Sequence, residues 1–168
     1  MLPTIRSRAQ VVRFGRLSEV EVGEALRVVA KDVISDDKAR QLAELSGGSV
    51  RHALLMGLYG GAELLEAVSQ LLSADAFDTS RAHKLADLAA DRKQQTQGAL
   101  LFDMLVEALH SHALHCARSG DLRRADTLAH RAQTLREERR TSEAFNLDAR
   151  QDFLVAAHKA HGAIHGMA

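Results

Sequence analysis

From residue 18 onward, apolar positions recur at three- and four-residue intervals, so the pattern predicts helices throughout. Ser18-x-x-Glu21 has the spacing of a capping box, and Val22, Ala25, Leu26 and Val29 then share one face. A short second helix follows Ser35, with Ala39, Leu42, Ala43 and Leu45 apolar. Ser46-Gly47-Gly48-Ser49 breaks it: the glycines permit positive φ, and Ser49 can cap a third helix from Val50 to about Tyr59. Val50, Ala53, Leu54 and Gly57 lie on one side of that helix, and Gly60-Gly61 ends it. Such a three-helix unit of roughly forty residues is too small to be securely stable alone.

Five further helices are expected. One covers Ala62 to Leu72, and one runs from after Asp78-Thr79-Ser80 to about Arg92. A long third carries Leu101, Met104, Leu105, Ala108, His112, Ala113 and Cys116 at helical spacing. Ser119-Gly120-Asp121 reads as a stop and a start, with Gly120 as C-cap and Asp121 as N-cap. The fourth is expected to bury Leu122, Ala125, Leu128, Ala129, Ala132 and Leu135, with Arg123, Arg124, Arg131 and Arg136 on its other face. Asn146 is expected to cap a last helix containing Leu147, Phe153, Leu154 and Ala157, and the tail from Gly162 is expected to fray. Short connections suit a helical bundle.

Composition strengthens the all-α reading. Aromatics are 4% of the 168 residues, Trp is absent, and the one proline is Pro3. Twenty-two basic residues balance 22 acidic ones, so nucleic acid would have to be met by a local patch rather than by overall charge. The single Cys116 excludes an internal disulfide and suits the cytoplasm. No apolar run approaches the roughly 20 residues of a membrane span.

The opening residues do not fit a helical domain start. Leu2-Pro3-Thr4-Ile5 followed by Arg6-Ser7-Arg8 reads as the end of a strand and the loop after it. A strand without a sheet predicts that the chain is a fragment, beginning just before an arginine loop. On a loop, an arginine's planar fork of donors can reach phosphates held by a neighbouring molecule. Taken singly, Arg6 and Arg8 read more readily as surface cations than as phosphate ligands. Arg51, in the first turn after the Gly47-Gly48-Ser49 break, sits at a favourable anion position but is likewise weak alone.

Their order and spacing say more. Leu-Pro-Thr-Ile-Arg-Ser-Arg, then a capped helix, then Ser-Gly-Gly-Ser-Val-Arg-x-Ala-Leu resembles the AAA+ subunits of the bacterial DNA polymerase III clamp loader over about residues 2 to 58. The helical remainder is a looser match to that family's collar, with Asn146-Leu147-Asp148-Ala149-Arg150-Gln151 similar to the start of its last helix. Within the family the delta-prime class fits best and the gamma/tau class next.

The resemblance implies that residues 1–17 end an AAA+ core, 18–60 form its three-helix lid, and 61–168 form the collar through which subunits assemble. It implies that Arg8 is an arginine finger acting in trans on ATP and Mg²⁺ in the adjacent subunit, and that Arg51 occupies the sensor-2 position of the lid. Ala9 stands where the family has cysteine, a departure that leaves phosphate contact by Arg8 intact. Delta-prime nucleotide sites are often degenerate, so the Arg51 role can be vestigial. The implied partners are the gamma/tau and delta subunits and, through the assembled ring, the sliding clamp and primed DNA. The chain has no Gly-x-x-x-x-Gly-Lys-Ser/Thr loop and no acidic Mg²⁺-binding strand, so no cofactor is expected in the fragment, and catalysis would lie with the rest of the parent and its holoenzyme.

Two other readings stay in view. The first is a helical adaptor with no nucleotide connection. The second is a metal- or ligand-binding bundle, suggested by His110, His112, His115 and Cys116. His112 and Cys116 share a helical face, but a second ligand pair and an orienting carboxylate are missing. Both are expected in the core, and no metal is expected. His158, His161 and His165 are expected at the surface.

Overall fold

The computed structural model describes residues 15–91 and 95–166, and the described residues form eight helices and no strand. In chain order these are α1 (Glu19–Val29), α2 (Asp36–Leu45), α3 (Val50–Leu58), α4 (Gly61–Ser73), α5 (Thr79–Ala89), α6 (Gln95–Arg118), α7 (Leu122–Ala144) and α8 (Ala149–His165). The all-α architecture is as the apolar spacing predicts. The chain divides into two compact units, the first ending at Leu54 and the second beginning at Leu55, so the division falls inside α3.

In the first unit, α1 and α2 pair through Val22, Leu26, Ala39, Leu42 and Ala43, all buried, with Ala30 and Ile34 buried in the connection. The Ser18 capping box forms: Glu21 N–H donates to Ser18 Oγ at 3.3 Å, and Ser18 N–H donates to Glu21 Oε2 at 2.8 Å. Those bonds from the Ser18 backbone and hydroxyl favour the charged carboxylate and hold the Glu21 pKa below the ordinary glutamate value. A lowered folded pKa means that the cap stabilises α1 above the ordinary carboxylate range and fades as pH falls through the lowered value. Val29 and Leu45, placed on the apolar faces by periodicity, are exposed. Each is the last residue of its helix, past the final turn that meets the partner helix.

The turn before α3 requires its glycines. Gly47 and Gly48 have φ of 58° and 82°. Leu17 N–H donates to Gly48 O at 3.2 Å, so the two backbones nearly touch. A Cβ on Gly48 would sit 2.5 Å from Leu17 O. Gly48→Ala is therefore expected to destabilise the first unit by about 2 kcal/mol or more, through left-handed strain and the clash together. Loss of hydrogen-exchange protection in α1 and α2 would register it; wild-type protection would contradict it.

In the second unit α6 is the central element, touching α4, α5, α7 and α8. Leu100, Leu101, Phe102, Met104, Leu105, Val106 and Leu109 are all buried, a broad face interrupted by exposed Asp103. Gly98 lets α6 approach α5, because a Cβ there would lie 2.5 Å from Ala89 O. Helix α8 lies across α4, α5, α6 and α7, burying Phe153, Ala156, Ala157, Ala160, His161 and Ile164. The Phe102 and Phe153 rings meet edge to face, with centroids 5.5 Å apart.

Several local expectations are corrected. Leu122 and Ala129 are exposed; the buried stripe of α7 is Leu128, Ala132, Leu135 and Ser142. The α8 cap is Asp148, whose carboxylate accepts from Gln151 N–H at 2.8 Å, and not Asn146. Asn146 instead has φ 49° and ends α7, with Leu147 N–H returning to Ser142 O at 2.9 Å. Helix α5 ends at Ala89, and α8 continues to His165, so Gly162 is helical. Asp121 does cap α7, after Gly120 at φ 88°.

Candidate functional site

The arginine loop at Arg6 and Arg8 lies outside the described residues. Arg51 is described and exposed, in the first turn of α3. That helix start is fixed by three local bonds. Ser49 Oγ accepts from His52 N–H at 3.3 Å, Ser46 Oγ accepts from Gly48 N–H at 3.3 Å, and Arg16 Nη1 donates to Gly47 O at 3.3 Å. The arrangement places a cation in the first turn of a helix, whose N-terminus favours an anion.

The second unit presents a groove of about 670 Å³ between α7 and α8, closed by the turn that joins them. Thr134, Glu137, Glu138 and Thr141 line it from α7; Gln151, Asp152, Val155 and Lys159 line it from α8. Both threonine hydroxyls donate to carbonyls of their own helix, at His130 and Glu137, each at 3.0 Å, which leaves their methyl groups for the groove. Leu147 (58% exposed) and Val155 (41%) supply the rest of its apolar surface.

Beneath the groove lies a polar network that holds α6, α7 and α8 together. Arg139 Nη1 donates to Asp152 Oδ2 at 3.2 Å, and Ser142 Oγ donates to Asp152 Oδ1 at 2.9 Å. The guanidinium carbon of Arg139 sits 4.3 Å above the centre of the Phe102 ring. Arg139 Nε is 2.8 Å from Glu143 Oε1 but off the axis of its N–H, so that contact is Coulombic rather than a hydrogen bond. Arg123 and Arg136 are exposed on the far face of α7, whereas Arg139 stacks inward. No apolar pattern could reveal this, since the burial follows from stacking and pairing. A further clamp joins α5 to α8: Arg150 Nε donates to Asp87 at 2.6 Å and Nη2 lies 3.0 Å from His83 Nδ1, which must therefore be the unprotonated ring nitrogen.

The histidines depart from expectation in both places. His112 is exposed and Cys116 half-buried, because the buried face of α6 runs through Leu109 and Ala113. Local burial of the His112 ring, then the charges of Arg124, His115 and His165, push its pKa down. At the α8 end, His161 is 1% exposed rather than superficial. Its Nε2 donates to Ala74 O at 2.8 Å, and His165 Nε2 donates to Leu72 O at 2.9 Å. The two rings stack at 4.3 Å, and Phe77 meets His158 and His161 edge-on. These rings tie the end of α8 to the end of α4, with both Nε2 atoms already engaged. Among the described residues no group of three or more His, Cys, Asp or Glu could hold a metal ion. Among them, too, no helix is long and apolar enough to cross a membrane. Comparison with models of known protein families, with curated proteins and with solved structures finds no match to this chain.

Proposed function

We propose that this chain supplies the lid and collar of a bacterial clamp-loader AAA+ subunit, of the delta-prime class by preference over gamma/tau. Such a subunit works in the cytoplasm, helping to load the sliding clamp onto primed DNA. The observation that carries the reading is an order along the chain. The Arg6-Ser7-Arg8 run precedes a capped helical unit in sequence; a Gly47-Gly48-Ser49 turn then sets Arg51 in the first turn of α3, and a five-helix bundle follows. In this reading Arg8 neutralises phosphate charge on ATP and Mg²⁺ held by the adjacent subunit, and hydrolysis takes place at that subunit's site. Arg51 keeps the sensor-2 position whether or not the parent's own site holds nucleotide. The gamma/tau and delta subunits are the proposed ring partners.

The test mixes the full-length parent with the clamp-loader ATPase subunits, clamp and primed DNA. Arg8→Ala is expected to abolish the stimulation of ATP hydrolysis while leaving assembly intact. Unchanged hydrolysis would sink the proposal. It would favour the second reading, a helical adaptor without a nucleotide connection, which the open apolar groove between α7 and α8 supports on its own.

A further inference from the structure

The two ends of α7 carry surfaces of opposite character. The groove at its C-terminal end is acidic as well as apolar. Lys159 pairs with Glu138 at 2.6 Å, and Arg139 pairs with Asp152. Glu137 accepts only from a neutral donor, Gln133 Nε2, so among the described residues its charge is uncompensated, while Asp148 is spent as the α8 cap. The apolar groups between these carboxylates, Leu147 and Val155, face solvent.

The N-terminal end of α7, where it turns back from α6, is basic and apolar. Leu122 is 69% exposed and Leu114 is 53% exposed. Arg118 and Arg123 flank them, both exposed, and Arg124 follows, donating to Ile164 O at 2.6 Å. The one carboxylate in the turn, Asp121, is spent as the α7 cap.

We propose that the α7–α8 groove receives the α6–α7 tip of a second copy of this chain, so that copies associate head to tail. Groove-to-groove and tip-to-tip pairings each oppose like charges, whereas tip-to-groove pairing matches aliphatic to aliphatic and arginine to carboxylate. A chain cannot satisfy its own groove: the 23 residues of α7 separate the two ends by roughly 33 Å. The contact is therefore heterologous, and it leaves one tip and one groove open for further copies unless the rotation closes a ring. This inference does not depend on the clamp-loader reading.

Sedimentation of the 168-residue chain alone tests it. The wild type is expected to show mass rising with concentration, and more steeply at low salt. Leu122→Asp on the tip and Val155→Arg in the groove change exposed positions and should each give a folded monomer, with helicity checked by circular dichroism. Arg123→Glu and Glu137→Arg should each weaken association about tenfold or more. Mixing those two variants should restore it, because the reversed tip of one matches the reversed groove of the other. A wild type that stays monomeric up to hundreds of micromolar overturns the proposal. So does a dimer that is insensitive to Leu122→Asp, or a mixture that fails to recover. A monomeric chain that still binds the ATPase subunits would remove only this inference. A self-associating chain that ignores those subunits would remove only the clamp-loader reading.

Discussion

Asp152→Ala is expected to destabilise the second unit by about 3 kcal/mol, near the lower end for removing one partner of a buried ion pair. Arg139 and Asp152 side chains are only 21% and 13% exposed, so water cannot replace the lost carboxylate fully. The substitution strips Arg139 Nη1 of its acceptor and leaves the Ser142 hydroxyl without Asp152 Oδ1. For a chain of this length the melting temperature should fall by roughly 6–12 °C. Asp152→Asn keeps an acceptor oxygen and should lose distinctly less. Equal losses for the two variants would mean that shape, not charge, holds the network. A loss below about 1 kcal/mol for the alanine variant would place the pair in the solvated class.

Phe153→Ala should destabilise by about 4 kcal/mol. Phe153 is fully buried, and its ring forms an edge-to-face pair with Phe102, which in turn lies under the Arg139 guanidinium. The variant loses the transfer energy of a whole ring and leaves a hole in the layer between α6 and α8. Urea unfolding followed by circular dichroism measures the loss, and hydrogen exchange should locate it in the amides of α6 and α8. Phe153→Leu fills part of the hole and should recover at least half of the loss. If exchange in α6 and α8 stayed at wild-type rates, Phe153 would not be the centre of that core.

The helices were legible because their signals are local. Ser18, Ser49, Asp78 and Asp121 each cap the helix that follows, and Gly60 and Gly120 take the positive φ their places suggest. Errors arose where a tertiary contact outranks a local signal. Asn146 looks like a cap, but it closes α7 in the left-handed conformation, and Asp148 two residues later takes the role. Leu122 and Ala129 fit an apolar stripe, yet α7 meets its neighbours along a narrower one. His161 reads as a tail residue until the end of α4 supplies the carbonyl it needs, 87 residues away. The candidate surfaces were the least legible. Periodicity places Leu147 in the last helix and does not single out Val155, and the groove they line exists only once α7 and α8 fold against each other.

Arg139 and Ser142 also settle a matter of alignment along the helix axis. Leu128, Ala132, Leu135, Arg139 and Ser142 are spaced four, three, four and three, a continuous heptad seam. A seam built only from Leu and Ala would repeat itself, and a seven-residue slip would set Leu135 where Leu128 belongs. The same slip would carry Arg139 to the place of Ala132, away from Phe102 and Asp152. The seam thus has one phase in which its charge is stacked and neutralised. A refolding α6–α7 hairpin that enters the wrong phase must strand a guanidinium, and the stacked arginine acts as a proofreading mark for the bundle.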